Sequence, residues 1–140
     1  MNRIALNLEM HFEGYGEKPY YCPAGFLTAG YGHAFKPGEK VRPLPRDEAK
    51  EVLIKDQMCA ERSTFRLCPV LLIEPENRQG AIIDFVFNLG GGRLQASTLR
   101  RRINQRDWPE VKRELRKWTR GGGKILRGLV MRREAEARLI

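Results

Sequence analysis

The chain lacks any long apolar run, has few cysteines, and carries little acid in its last third. Each shortage narrows what it can be. No stretch reaches the roughly 18–20 consecutive apolar residues of a membrane span, and Met1–Glu9 shows no apolar core of a signal peptide. The expectation is a protein made in the cytoplasm. Cys22, Cys59 and Cys68 are odd in number and form no Cys-x-x-Cys pair, which argues against a zinc site and against a disulfide framework. No metal and no organic cofactor is expected, and a monomer keeps at least one thiol free.

Acid is short in one place only. Residues 1–90 hold 11 Lys and Arg against 12 Asp and Glu, whereas residues 91–140 hold 15 against 5, so the whole net charge of +9 comes from the last third. A surface that basic favours an anionic partner: nucleic acid, phospholipid or an anionic cell envelope. A nucleic-acid-binding module is the competing reading from charge. Against it, the aromatics are not interleaved with the arginines for base stacking, and no zinc, helix-turn-helix or RNA-binding signature is present, so no nucleic acid is expected. With 140 residues, 41% of them hydrophobic, and no linker, repeat or low-complexity tract, the chain reads as one domain, 1–140, and as a monomer.

Periodicity and punctuation give an α+β, mostly helical, class. Ile4, Leu6, Leu8 and Phe12 run among helix formers to Gly14, so the first helix stops there with Glu13 in its last turn. From about 17 to 40 the residues turn to Tyr, Phe, Thr and Gly with Pro19, Pro23 and Pro37, which suits a small antiparallel hairpin or meander. A helix of about 46–66 follows Pro45, with Ala49, Val52, Leu53, Met58 and Ala60 inward and Cys59 as a small buried residue. Residues 75–89 are apolar all round, as a central buried helix is. Three amphipathic helices are expected near 96–105, 109–119 and 125–139.

The chemistry lies in one spacing: Glu13, nine residues on Cys22, six further Thr28. A carboxyl ending an apolar helix, with a Gly-rich hairpin folding back over it, aims an acid and a water-holding group at one bond. That is the arrangement of a small hydrolase. The negative end of the helix dipole disfavours an anion at Glu13, which helps a general acid keep its proton. An ordinary thiol titrates near 8.5 and is mostly neutral at pH 7, so Cys22 is a poorer base than an Asp, yet it can hold a water or act as thiolate in electropositive surroundings. His33 is placed to pin the hairpin to the body through a carboxylate, Tyr20 and Tyr31 to stack on a substrate or to pack, and Asn88, ending the central helix, to line a cleft.

Glu13-Gly14, Tyr20-Tyr21-Cys22-Pro23-Ala24-Gly25 and Thr28-Ala29-Gly30-Tyr31-Gly32-His33 together resemble the active-site region of phage-type lysozymes, the muramidase endolysins of glycoside hydrolase family 24. Trp118, Gly121-Gly122-Gly123, Gly128-Leu129 and Arg132-Arg133 resemble the C-terminal end of the same enzymes. The resemblance implies a lysozyme-like two-lobed fold, with a small β lobe at about 17–40 and a helical body at about 46–140. It implies inverting hydrolysis of the β-1,4 bond between N-acetylmuramic acid and N-acetylglucosamine, and hence wall lysis. Glu13 would be the general acid, and Cys22, standing where the family usually has Asp, would orient the water with Thr28. Tyr20, Gly30, Tyr31 and Asn88 would contact substrate. Peptidoglycan is then the partner, the basic last third would hold an anionic envelope, and a holin-type helper would give access to the wall. The alternative within the same resemblance is an inactive relative that only binds glycan.

Overall fold

A computed structural model describes all 140 residues. Helix α1 spans Arg3–Glu13 because both of its ends are capped. The Asn2 side chain accepts the Ala5 N–H at 2.9 Å, and Gly14 takes φ +66, a conformation that a side chain resists. Glu13 is thus the last helical residue, at the point where the chain leaves the helical body.

Three short strands follow: β1 (Gly16–Tyr21), β2 (Leu27–Gly30) and β3 (His33–Ala34), antiparallel in that order. The register sets Tyr20 opposite Thr28 and Ala29 opposite His33, with an irregularity in β1 between Gly16 and Tyr20. This sheet packs on the first half of α2 (Arg46–Leu67) through a small core of Leu6, Ala29, Tyr31, Leu44, Ala49 and Leu53.

The second half of α2 enters a larger core. There Ala60 and Leu67 meet Ile82, Ile83 and Phe85 of α3 (Glu76–Leu89), with Leu94, Leu99, Ile103, Val111 and Leu115 from the later helices. Residues Gly80 to Val86 of α3 are all buried, as its all-round apolar sequence requires. Phe87 packs against both cores, so the end of α3 lies where the two lobes meet. No helix is long and apolar enough to cross a membrane.

Several boundaries differ from the sequence reading. A single 3-10 turn, Pro69–Ile73, links α2 to α3. The helix expected near 96–105 is α5 (Thr98–Asn104), started by Ser97, which accepts the Arg100 N–H, and a short helix that was not expected, α4 (Gly91–Gln95), precedes it. Helix α6 is Trp108–Leu115, and a two-stranded hairpin, β4 (Arg120–Gly121) and β5 (Lys124–Ile125), precedes α7 (Arg127–Ala137). In α2 the inward phase also differs: Met58 is 44% exposed and Cys59 is exposed, whereas Gln57 is fully buried. Gln57 is drawn in because its amide donates to Asn2 O at 2.9 Å and to Glu9 Oε2 at 3.2 Å. Hydrophobic periodicity has no means of registering that exchange.

Candidate active site

A cleft of about 760 Å³ runs between the β sheet and the helical body. Glu13 enters it from the end of α1, Tyr20, Cys22 and Thr28 from the sheet and its first turn, and Asn88 from the end of α3. The three residues with the Glu, Cys, Thr spacing therefore line one space.

Glu13 is bonded through one oxygen and crowded at the other. Oε1 accepts from Arg132 Nη1 at 2.6 Å, and Oε2 lies so close to Gly32 that a Cβ there would sit 2.5 Å from it. Gly32 has φ +75, so the turn after β2 needs glycine for its backbone as well as for space. Arg132 is itself almost fully buried and gives two further N–H groups to Asp84. Burial disfavours its charge, but the bonds to Asp84 and Glu13 outweigh that and raise its proton affinity above the ordinary guanidinium range.

Cys22 sits in a tight turn closed by its own N–H to Phe26 O at 2.9 Å and by the Gly25 N–H to Cys22 O at 2.8 Å. The backbone N–H of Phe26 faces the sulfur, as do those of Ala24 and Gly25, and against a smaller opposing effect of desolvation they hold the thiol below its usual pKa. A cluster of backbone donors is a nest for negative charge. The electropositive surroundings that a thiolate needs are thus supplied by backbone and not by a basic side chain. The Thr28 hydroxyl, on a residue only 3% exposed, donates to Phe26 O at 2.9 Å and adjoins the same sulfur.

The remaining candidates divide. Tyr20, 41% exposed, lines the cleft. Asn88 does so with its Oδ1 already taken by Arg133 Nη2 at 2.9 Å, which turns its N–H₂ toward open space. His33 bridges Asp56 of α2 through Nδ1 at 2.7 Å and Glu39 through Nε2 at 2.9 Å. Burial works against the protonated ring, yet the two carboxylates raise its pKa above the usual value. Gly30 and Tyr31, expected to touch substrate, do not line the cleft. A Cβ on Gly30 would meet Ala49 and Leu44, and Tyr31 is 5% exposed with its hydroxyl accepting from Arg46 at 3.2 Å. Both are consumed in seating the sheet on α2. No group of three or more His, Cys, Asp or Glu is placed to hold a metal ion.

Asp84 and Arg132 join the site only through the fold: Arg132 belongs to the C-terminal pattern, and nothing local in the sequence tells that it reaches back to Glu13. The arrangement as a whole can protonate an oxygen from one side of the cleft and hold a water on the other.

Comparisons with known proteins agree on one family. The profile described as phage lysozyme matches residues 10–136. A SAR-endolysin of Bacteriophage PS119 is 39% identical over 125 residues, covering 89% of this chain and 73% of that protein. Among solved structures, the active form of the P1 phage endolysin Lyz superposes with a TM-score of 0.85 at 26% identity, over 99% of this chain and 83% of that one. The muramidase domain of SpmX from Asticaccaulis excentricus does so with a TM-score of 0.83 at 26% identity, over 98% and 94%.

Proposed function

The chain belongs to the phage lysozyme family and is a glycoside hydrolase, a muramidase that lyses peptidoglycan, and on that premise we propose that Glu13 is its general acid while Cys22 and Thr28 hold the attacking water. The bond cut is the β-1,4 link from N-acetylmuramic acid to N-acetylglucosamine. Glu13 gives its proton to the bridging oxygen as the glycosidic bond breaks. A water on the opposite face of the sugar forms the new bond to the anomeric carbon and passes its own proton to the Cys22 thiolate or to solvent. Attack from that face inverts the anomeric centre.

The observation that carries this reading is the disposition of the three side chains: a carboxyl on the helical wall of the cleft, and a sulfur with an adjoining hydroxyl on the sheet wall. Tyr20 offers a ring face for a sugar and Asn88 an N–H₂ for a carbonyl or hydroxyl. One copy supplies both walls, so the enzyme works as a monomer. Of the 15 basic residues of the last third, the 13 other than the buried Arg132 and Arg133 concentrate it on the anionic envelope, and a separate membrane-permeabilising helper brings it to the wall.

The deciding experiment is Glu13→Gln on purified peptidoglycan. The variant should stay folded and lose clearing by at least 10²-fold, a general acid's ordinary contribution. Clearing at the wild-type rate would remove Glu13 from the role. NMR of the first product anomer tests inversion, and mass spectrometry distinguishes a hydrolysed reducing end from an anhydro sugar. Replacing the exposed Arg101, Arg120, Arg127 and Arg138 with Ala should weaken binding to whole cells at low salt.

A further inference from the structure

One buried guanidinium serves two carboxylates, Glu13 at the cleft and Asp84 in the core. Asp84, on α3, is fully buried and takes two N–H groups of Arg132 side by side, Nε to Oδ2 at 2.9 Å and Nη2 to Oδ1 at 2.7 Å. A paired contact of this kind locks the planar guanidinium in register with the carboxylate. The third donor, Nη1, is thereby aimed at Glu13 Oε1, 2.6 Å away. With Oε1 occupied by an N–H, a proton on Glu13 belongs on Oε2.

Charge explains why a second carboxylate is useful there. A guanidinium alone beside an acid favours the ionised form by roughly one to three pH units, which strips a general acid of the proton it must donate. Asp84 offsets that charge from the buried side. Several other ionisable groups face the cluster, but none of them bonds Glu13. Glu9 on α1 and Glu136 on α7 are fully buried, and burial pushes both toward the protonated form, Glu9 up to about 8. Arg133 on α7 is engaged by Glu136 at 2.7 Å and by Asn88. Tyr20 of β1 is a phenol that burial raises further. Arg132 is the charge bonded to Glu13 and Asp84 is the charge bonded to Arg132, while a Cys22 thiolate across the cleft and Arg133 behind it are the same in every Asp84 variant.

We propose that Asp84 is a positioning residue for Glu13: by engaging two N–H groups of Arg132 and offsetting its charge, it aims the third N–H at Oε1 and lets Oε2 keep the proton that is donated. The inference rests on Glu13 being the acid. It makes Asp84 part of the proton-donating apparatus although Asp84 itself touches no substrate.

The test is the pH dependence of kcat/KM on soluble peptidoglycan fragments for Asp84→Asn, Asp84→Ser and Asp84→Glu. Asn keeps an acceptor for Arg132, and Ser leaves room for a water to bond the freed N–H groups, so the second stands in if the first fails to fold. Thermal melts establish folding at each pH. In the two charge-removing variants the alkaline limb, which reports Glu13 losing its proton, should move down by roughly one pH unit. In Asp84→Glu it should stay where the wild-type limb lies. A merely structural Asp84 would lower the rate at every pH without moving the limb, and that result in a folded variant overturns the proposal. Glu13→Gln separates the two failures. If it remains active, the acid assignment itself is wrong; if it is inactive and the limb of the Asp84 variants has not moved, only the role of Asp84 is lost.

Discussion

Arg132 and Glu13 stand 119 positions apart in the chain and 2.6 Å apart in the fold. The acid at the end of the first helix is therefore held by a side chain of the last. Helix α7 docks against α1 and α3 to make this contact, so the site is complete only when the C-terminal residues are in place.

Removing that side chain has two consequences. Arg132→Gln leaves Asp84 buried without its cation and Glu13 without its N–H. Breaking one partner of a buried ion pair costs about 3–5 kcal/mol, and urea unfolding should show a loss of that size together with a fall in lytic rate. A stability change below about 1 kcal/mol would mean that water already solvates Asp84 and that the burial described above is wrong.

Gly32 leaves room for the other carboxyl oxygen. In Gly32→Ala the new methyl would stand 2.5 Å from Glu13 Oε2, and the residue would be strained at φ +75. Strain of this kind costs about 1–3 kcal/mol, and displacement of a reacting group by about 1 Å costs up to 10²-fold in rate. The expected result is a drop in kcat much larger than any change in KM. Wild-type kcat in a stably folded variant would show that Glu13 moves freely.

Cysteine labelling separates the three thiols. Cys22 lies at the cleft, with backbone N–H groups, that of Phe26 foremost, holding its thiol below the ordinary range, while burial pushes Cys68 up to about 11. In a Cys59→Ser background, iodoacetamide should modify Cys22 with a half-maximal rate below pH of about 8.5 and leave Cys68 untouched until the protein unfolds. Lysis should disappear in step with labelling. Full activity of the labelled protein would remove Cys22 from the reaction.

Glu9 makes stability depend on pH in a direction opposite to that of most carboxyls. Its folded pKa is raised by burial, then by Asp84, from 4.5 to about 8, so the folded state holds this proton more tightly than the unfolded one. The stability linked to that proton is fully present below pH 4.5 and is lost as pH rises from 4.5 toward 8. Glu9→Gln, which mimics the protonated acid, should match the wild type near the lower end of that window and be more stable by several kcal/mol at the upper end. Urea midpoints across the window measure it; a difference that does not grow with pH would show that Glu9 is ionised in the folded protein.

Much of the frame was legible from local pattern. The stop at Gly14 put Glu13 at a helix end, the Tyr-, Thr- and Gly-rich stretch gave the sheet, and the all-round apolar residues of α3 gave the central helix. Such features depend on neighbours within a turn or a hairpin. The failures have one cause as well. Met58 and Gln57 exchanged places because a buried polar bond to Asn2 O, 55 residues away, outweighed the apolar phase of α2. Tyr31 and Gly30 left the site because α2 covers them, and α2 follows the turn that holds them.

Spacing along the chain was enough to nominate an acid, a sulfur and a hydroxyl, since each is set by a short element with its own capping and turn chemistry. The partners that hold the acid, Arg132 with Asp84 behind it and the bare Cα of Gly32 in front, follow from packing among α1, α3, α7 and the sheet. A guanidinium looks the same in sequence whether it ends in solvent or against a carboxylate. Only long-range burial, which removes water and forces charges to find each other, distinguishes the two.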